Sequence, residues 1–270
     1  MRRLIRYATI AFALLAATAC EYSEGTERNP NLLGKAIWNT AYPDLYRVNE
    51  ILDFVANYNY YLTIDDSANN ETDNEVENEV ESEAERYKRE ELNNPQAITI
   101  EHNTHTLIYG TDYGTTYTIT FEMLEDRWEV KRTGGNGFDL TISEATEANT
   151  YTVHFDTIYN IESTGNGDFK VKCTYDEVGT PMIEFKGTLV MVDREESTTK
   201  PLTITTQISD WMSFNNERYA ACIPHKGRMK ITVEDMLYGT TDEITASIVV
   251  NNHRYGVSIW CLGEVKGYYF

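Results

Sequence analysis

Five histidines and four cysteines are the residues of this 270-residue chain with the widest chemical repertoire. Their spacing restricts what they can do. His102 and His105, with Glu101 beside them in IEHNTHTL, fall in an expected hairpin turn. Residues three apart on a strand point to opposite faces, so these imidazoles meet at a metal only if the turn bends them together, and the expectation is no metal site. His154 lies on the polar side of an alternating strand, His225 follows Pro224 in an expected loop, and His253 follows two asparagines at a turn. Each reads as a surface histidine. Cys173 shares the parity of Phe169, Val171 and Tyr175, and Cys261 that of Val257 and Ile259, so both read as small core residues before they read as ligands. No zinc spacing links the cysteines.

Nucleophile and phosphate motifs are missing as well: there is no G-x-S-x-G elbow, no Walker loop and no H-E-x-x-H. With 43 acidic residues an acid–base pair could be drawn anywhere, so the composition nominates none. No catalytic residue and no cofactor is assigned, and the chain is read as a non-enzyme. Binding then falls to the aromatics, 19 tyrosines and four tryptophans among them. Trp211, in ISDWMSFNNERY, reads as part of an irregular segment between strands, and Trp260 has the parity opposite to Val257, Ile259 and Cys261. These two are the nominated binding residues, as stacking platforms for a sugar or as protein hot spots.

The elements that would carry these residues are mostly strands. From residue 96 to 270 apolar and polar residues alternate in about thirteen short runs punctuated by glycine and asparagine. TYTITF (116–121) returns as TYTVHF (150–155), each with its large apolar side chains on one face. Residues 167–190 align with 227–250 at an offset of sixty without gaps, pairing Gly167 with Gly227, Phe169 with Met229 and Val171 with Ile231. TGGNG (133–137) and TGNGD (164–168) read as hairpin turns. The fold class expected is mainly β with an N-terminal α-helical segment: an antiparallel β-sandwich or meandering barrel of repeated hairpins.

Ahead of the strands, Leu45, Val48, Ile51, Leu52, Val55 and Leu62 recur at helical spacing, predicting an amphipathic helix from Pro43 to Leu62 with Pro43 at its start. Residues 65–91 hold twelve acidic and three basic residues and read as a second helix or an acidic excursion. The formal net charge is −20, with no basic cluster, which excludes nucleic acid as a partner.

The segment MRRLIRYATIAFALLAATAC joins a basic start and a short apolar run to small residues ending at Cys20. It resembles the signal peptide and lipobox of bacterial lipoproteins, with the acidic residues after Cys20 similar to those of Bacteroidota envelope lipoproteins. The resemblance implies cleavage after Ala19, lipidation of Cys20 with palmitate-type acyl chains, and an outer-membrane lipoprotein on the periplasmic or cell-surface face. Multiple acyl chains would hold it stably at a membrane. The organisation expected is a signal peptide (1–19), a lipid-anchored tether (20–35), a helical segment with the acidic stretch (36–95) and an antiparallel β domain (96–270). Cys173, Cys222 and Cys261 leave three possible pairings for one disulfide. The function expected is non-catalytic binding or a structural role toward a glycan or another envelope protein. Two alternatives stand beside it: a glycan-active hydrolase on the secreted side, and an outer-membrane β-barrel, whose terminal aromatic strand EVKGYYF (264–270) resembles.

Overall fold

A computed structural model describes residues 29–69, 97–110, 116–134, 137–145, 147–159, 163–175, 181–193, 202–214, 223–235, 240–251 and 254–269. The signal peptide, Cys20, Cys222, His253 and residues 70–91 of the acidic stretch lie outside the described residues.

The described residues fold as one helix followed by a meander. Helix α1 runs Pro30–Asn69, thirteen residues ahead of its predicted start. Its beginning is written in Asn29–Pro30: the Asn29 side-chain oxygen accepts hydrogen bonds from the backbone N–H groups of Asn31 (3.1 Å) and Leu32 (3.3 Å), and proline fits the first helical position because its missing N–H would have no partner there. Residues 30–35, expected as tether, are therefore helical. Pro43 lies inside the helix and not at its start. An interior proline costs about 3 kcal/mol. The helix continues through it because Leu33, Ile37, Ala41, Leu45, Val48, Leu52 and Val55 form one buried stripe across the proline, and each large apolar side chain is worth about 1.5–3 kcal/mol when buried.

Thirteen strands follow: β1 (Ala97–Glu101), β2 (Thr104–Gly110), β3 (Thr116–Met123), β4 (Arg127–Thr133), β5 (Phe138–Glu144), β6 (Thr150–Tyr159), β7 (Ser163–Tyr175), β8 (Pro181–Asp193), β9 (Leu202–Phe214), β10 (Pro224–Asp235), β11 (Thr240–Asn251), β12 (Arg254–Cys261) and β13 (Glu264–Tyr269). They form one antiparallel sheet in which spatial order equals chain order. The mainly β class and the meander of hairpins thus hold. Among the described residues no ladder joins β1 to β13, so the sheet is not closed into a barrel. The near-repeats are structural equivalents: β3 and β6 bury Ile119 with Phe121 and Val153 with Phe155, and the offset of sixty lays β7 on β10 and β8 on β11, with Phe169, Val171 and Cys173 buried like Met229, Ile231 and Val233.

One expected turn is absent. TGNGD lies within β7. Gly165 serves close approach there and not chain reversal, because a Cβ at this position would collide with the Val190 carbonyl oxygen. Gly134, in the other glycine cluster, does take the left-handed conformation a turn needs, with φ of +89°.

The chain divides into two compact units. One comprises Val48–Ile161 and Asp168–Glu184. Here register builds the core: Phe121 pairs with Val130, Val130 with Leu140 and Leu140 with Phe155, so one row of side chains crosses four strands on a single face. Tyr58 of α1 stacks on Phe121 with ring centroids 4.1 Å apart, and Phe54 meets Tyr109 and Phe121. Two polar bonds fix this stretch of helix to the strands, from Tyr175 Oη to the Ala56 carbonyl (3.1 Å) and between Tyr58 Oη and His105 Nδ1 (2.9 Å). Arg132 also points to the core face, where its guanidinium lies 3.9 Å from the centre of the Tyr117 ring. The opposite face is polar, and Lys131 pairs there with Asp139 at 2.8 Å.

The other unit comprises Met1–Arg47, Glu162–Gly167 and Phe185–Phe270. Gly34 lets α1 sit close to β12, since a Cβ would stand 3.0 Å from Ile259 Cγ2 and 3.2 Å from Cys261 Cβ. Tyr268 Oη donates to the Asn31 carbonyl (2.9 Å), and Phe214 takes Tyr42, Tyr46 and Phe185 around its ring. Cys261, like Cys173 in the first unit, is a buried free thiol. Gly227, at φ of +138°, lies in a run of register shifts between β10 and β9.

The β4–β5 hairpin tests how unequal the two faces are. Leu140→Ala should lower stability by about 2–5 kcal/mol through loss of buried volume. Lys131→Ala, which breaks an ion pair exposed to solvent, should cost less than about 1 kcal/mol. Urea unfolding of both variants checks this; equal losses would contradict the burial assignment.

Candidate functional site

The alternation that builds the core in the Val48–Ile161 and Asp168–Glu184 unit also explains its cleft. On the core face of β5 the series is Phe138, Leu140, Ile142, Glu144, running from buried through half-buried to exposed. The neighbouring strands change in the same direction. On β4 Val130 is buried and Trp128 half-buried, and on β3 Phe121 is buried while Met123 is exposed. Met123 pairs with Trp128, Trp128 with Ile142 and Ile142 with Val153, so these side chains form a row adjacent to the buried Phe121–Val130–Leu140–Phe155 row.

At this row the sheet and α1 leave a cleft of about 740 Å3. This volume is within the range of small-molecule sites. Leu52, Val55 and Ala56 supply the helix wall, while Val153, Val171 and Ile183 are among the residues of the strand wall. Trp128, Tyr151 and Tyr175 add aromatic surface. Charged groups occupy the mouth: Glu125, Asp126 and Arg127 at the β3–β4 turn and Glu144 at the end of β5. Arg127 is already engaged, with Nε 3.3 Å from Glu129 and Nη1 3.7 Å from Asp126.

The titratable groups inside are held neutral. Burial pushes the Cys173 thiol up, an effect eased by Tyr175 beside it. Burial also raises the Tyr151 hydroxyl, with further contributions from Cys173 and Glu144. A thiol in such surroundings is a poor nucleophile. The arrangement therefore offers apolar and aromatic surface under a polar rim.

The sequence-nominated residues lie elsewhere. Trp211 is on β9 and not in an irregular segment; Ser209 and Asp210 interrupt the alternation where β9 shifts register against β10, and the strand then continues. Its ring is half-buried, with Lys186 Nζ 4.6 Å from the centroid. Trp260 is 51% exposed on β12, directly opposite the exposed Val265 of β13. Neither residue lines the cleft. His225 is on β10, not in a loop, and stacks on Tyr255 at 4.4 Å. His102 takes the turn with φ of +55°, and His105 bonds to Tyr58. Among the described residues no group of three His, Cys, Asp or Glu stands close enough to hold a metal. Most cleft residues are unremarkable in sequence, and Trp128 and Cys173 read there as ordinary members of strands; the available signal is Glu144 closing an apolar parity.

His154 adds an electrostatic feature on the polar face, with Nδ1 2.6 Å from Asp168 and Nε2 3.3 Å from Asp156. The hydrogen bond to Asp168 is the main reason the imidazole is held above its usual range. A raised folded-state pKa stabilises the fold below the ordinary histidine value, and that contribution disappears as pH rises through the folded-state value. Its size is small because both partners are exposed. An NMR titration should place the His154 midpoint above about 6.5, and Asp168→Asn should lower it; an unchanged midpoint would show that the bond does not form in solution. No family model matches the chain, and neither a curated protein nor a solved structure matches it.

Proposed function

We propose that the chain is a lipid-anchored envelope protein that binds its ligand without transforming it. The observation that carries the binding reading is the apolar cleft between α1 and β3–β8, whose walls offer surface for burial and where burial raises the Cys173 thiol and the Tyr151 hydroxyl, keeping both protonated. The lipobox-like segment ending at Cys20 supports the envelope address, with acylation in place of a spanning helix. Among the described residues no helix is long and apolar enough to cross a membrane, a fact that does not bear on spanning by strands. The polar face carrying Lys131, Asp139, His154 and Asp168 argues against that barrel alternative, because a membrane-spanning barrel turns its apolar face outward.

A second reading, contact with another envelope protein, draws on β13. This strand ends the sheet, pairs only with β12 among the described residues, and exposes Val265 and Tyr269. Such an edge can accept an added strand from an extended partner segment.

A neutral hydrophobic fluorophore such as N-phenyl-1-naphthylamine should bind saturably at one site, and Ala56→Trp should weaken it by about tenfold or more by filling the cleft. Saturable binding that survives this substitution in a folded variant would remove the cleft from the proposal. Labelling with radioactive palmitate, lost in Cys20→Ser, is the result expected for the anchor; undiminished labelling would refute it.

A further inference from the structure

We infer that the cleft selects an amphiphile with a cationic head group, such as a quaternary or primary ammonium on an alkyl or aromatic body. This inference rests on the cleft being a binding site and adds what it takes. Three features of the lining point the same way. First, among the described residues the mouth carries three carboxylates, Glu125, Asp126 and Glu144, against one guanidinium, Arg127, which pairs with Asp126 and with Glu129. Among the described residues the lining contains no lysine, so an anionic head would meet carboxylates there without an available counter-charge. Second, Trp128, Tyr151 and Tyr175 line the same space, and the faces of such rings attract cations, most strongly when water is excluded. Third, the apolar walls can take a hydrocarbon body, and the mouth's carboxylates can pair with the head without burying its charge.

Other occupants fit less well. Residues 70–96, which join α1 to β1, contain ten acidic and three basic residues and would be repelled by the mouth. A sugar needs many hydrogen-bonding groups, whereas Leu52, Val55, Val153, Val171 and Ile183 offer none from their side chains. The whole chain, at −20, would also raise the local concentration of cations and lower that of anions.

The experiment compares three ligands of equal chain length by calorimetry on the full chain: octyltrimethylammonium, octanoate and octyl glucoside, each below its micelle concentration. The ammonium should bind about tenfold or more tightly than the carboxylate, with the glucoside between them. Glu125→Gln combined with Glu144→Gln should erase most of that preference while leaving glucoside binding unchanged, and raising the salt should narrow it. Ala56→Trp, with Met123→Trp at the exposed mouth as a second blocking variant less demanding of the core, should weaken all three. Equal binding of the three ligands that both blocking variants reduce would overturn the charge selection and leave the cleft as a general apolar site. No binding of any ligand, or binding indifferent to both blocking variants, would overturn the cleft reading as well.

Discussion

The physical constraint from which this structure follows is that a meander of amphipathic strands has one apolar face, and that face must be removed from water. A helix supplies the cover. In each compact unit the stretch of α1 belonging to it lies on the apolar side of the strands, with Tyr58 on Phe121 in one and Tyr42 and Tyr46 around Phe214 in the other. The energetic weight lies in this burial. The surface ion pairs of the outer face, Lys131–Asp139 among them, are solvated and contribute little. The same weighting explains why Pro43 is tolerated: one lost backbone bond and some strain are small against a stripe of apolar side chains buried on both sides of it.

A cleft is the complement of that cover. Leu140 and Val130 are wholly buried; one row further along, Trp128 and Ile142 are only half-buried, and the series ends on an exposed Glu144. Apolar side chains left partly open beneath a ring of carboxylates are costly unless something occupies them, since their exposure forfeits the hydrophobic gain that the neighbouring row obtains. The buried thiol and phenol remain protonated there because low polarity penalises their charged forms. A site built this way has the means to hold a molecule by shape and charge.

Much of the fold was legible in the sequence and little of the site was. Alternation of apolar and polar residues announced the strands, and the return of TYTITF as TYTVHF and of residues 167–190 as 227–250 announced repeated hairpins, because period and repetition are properties of the chain itself. The helix is legible in its middle but not at its beginning, where Asn29–Pro30 is the capping signature and Pro43, which resembles a helix start in sequence, lies in the interior. TGNGD misled because glycine serves both turns and close backbone approach, and only the proximity of Val190 to Gly165 distinguishes the two.

The aromatic nominations show where the limit lies. Trp211 stands out in sequence within ISDWMSFNNERY and Trp260 by its parity opposite to Val257, Ile259 and Cys261; in the structure Trp211 is half-buried and Trp260 exposed. The enclosed space is lined by commoner residues drawn from α1, β3 to β8 and the β3–β4 turn, separated by up to 131 positions from Leu52 to Ile183. By itself the sequence determined the strand-rich class, the single apolar face and its repeating hairpins, since each depends on side chains a few positions apart. The register that aligns Trp128 with Ile142 and Val153, the extent of the helix over that row, and the carboxylates gathered at its edge were decided only by tertiary structure, because they depend on which distant residues the packing of the core brings together.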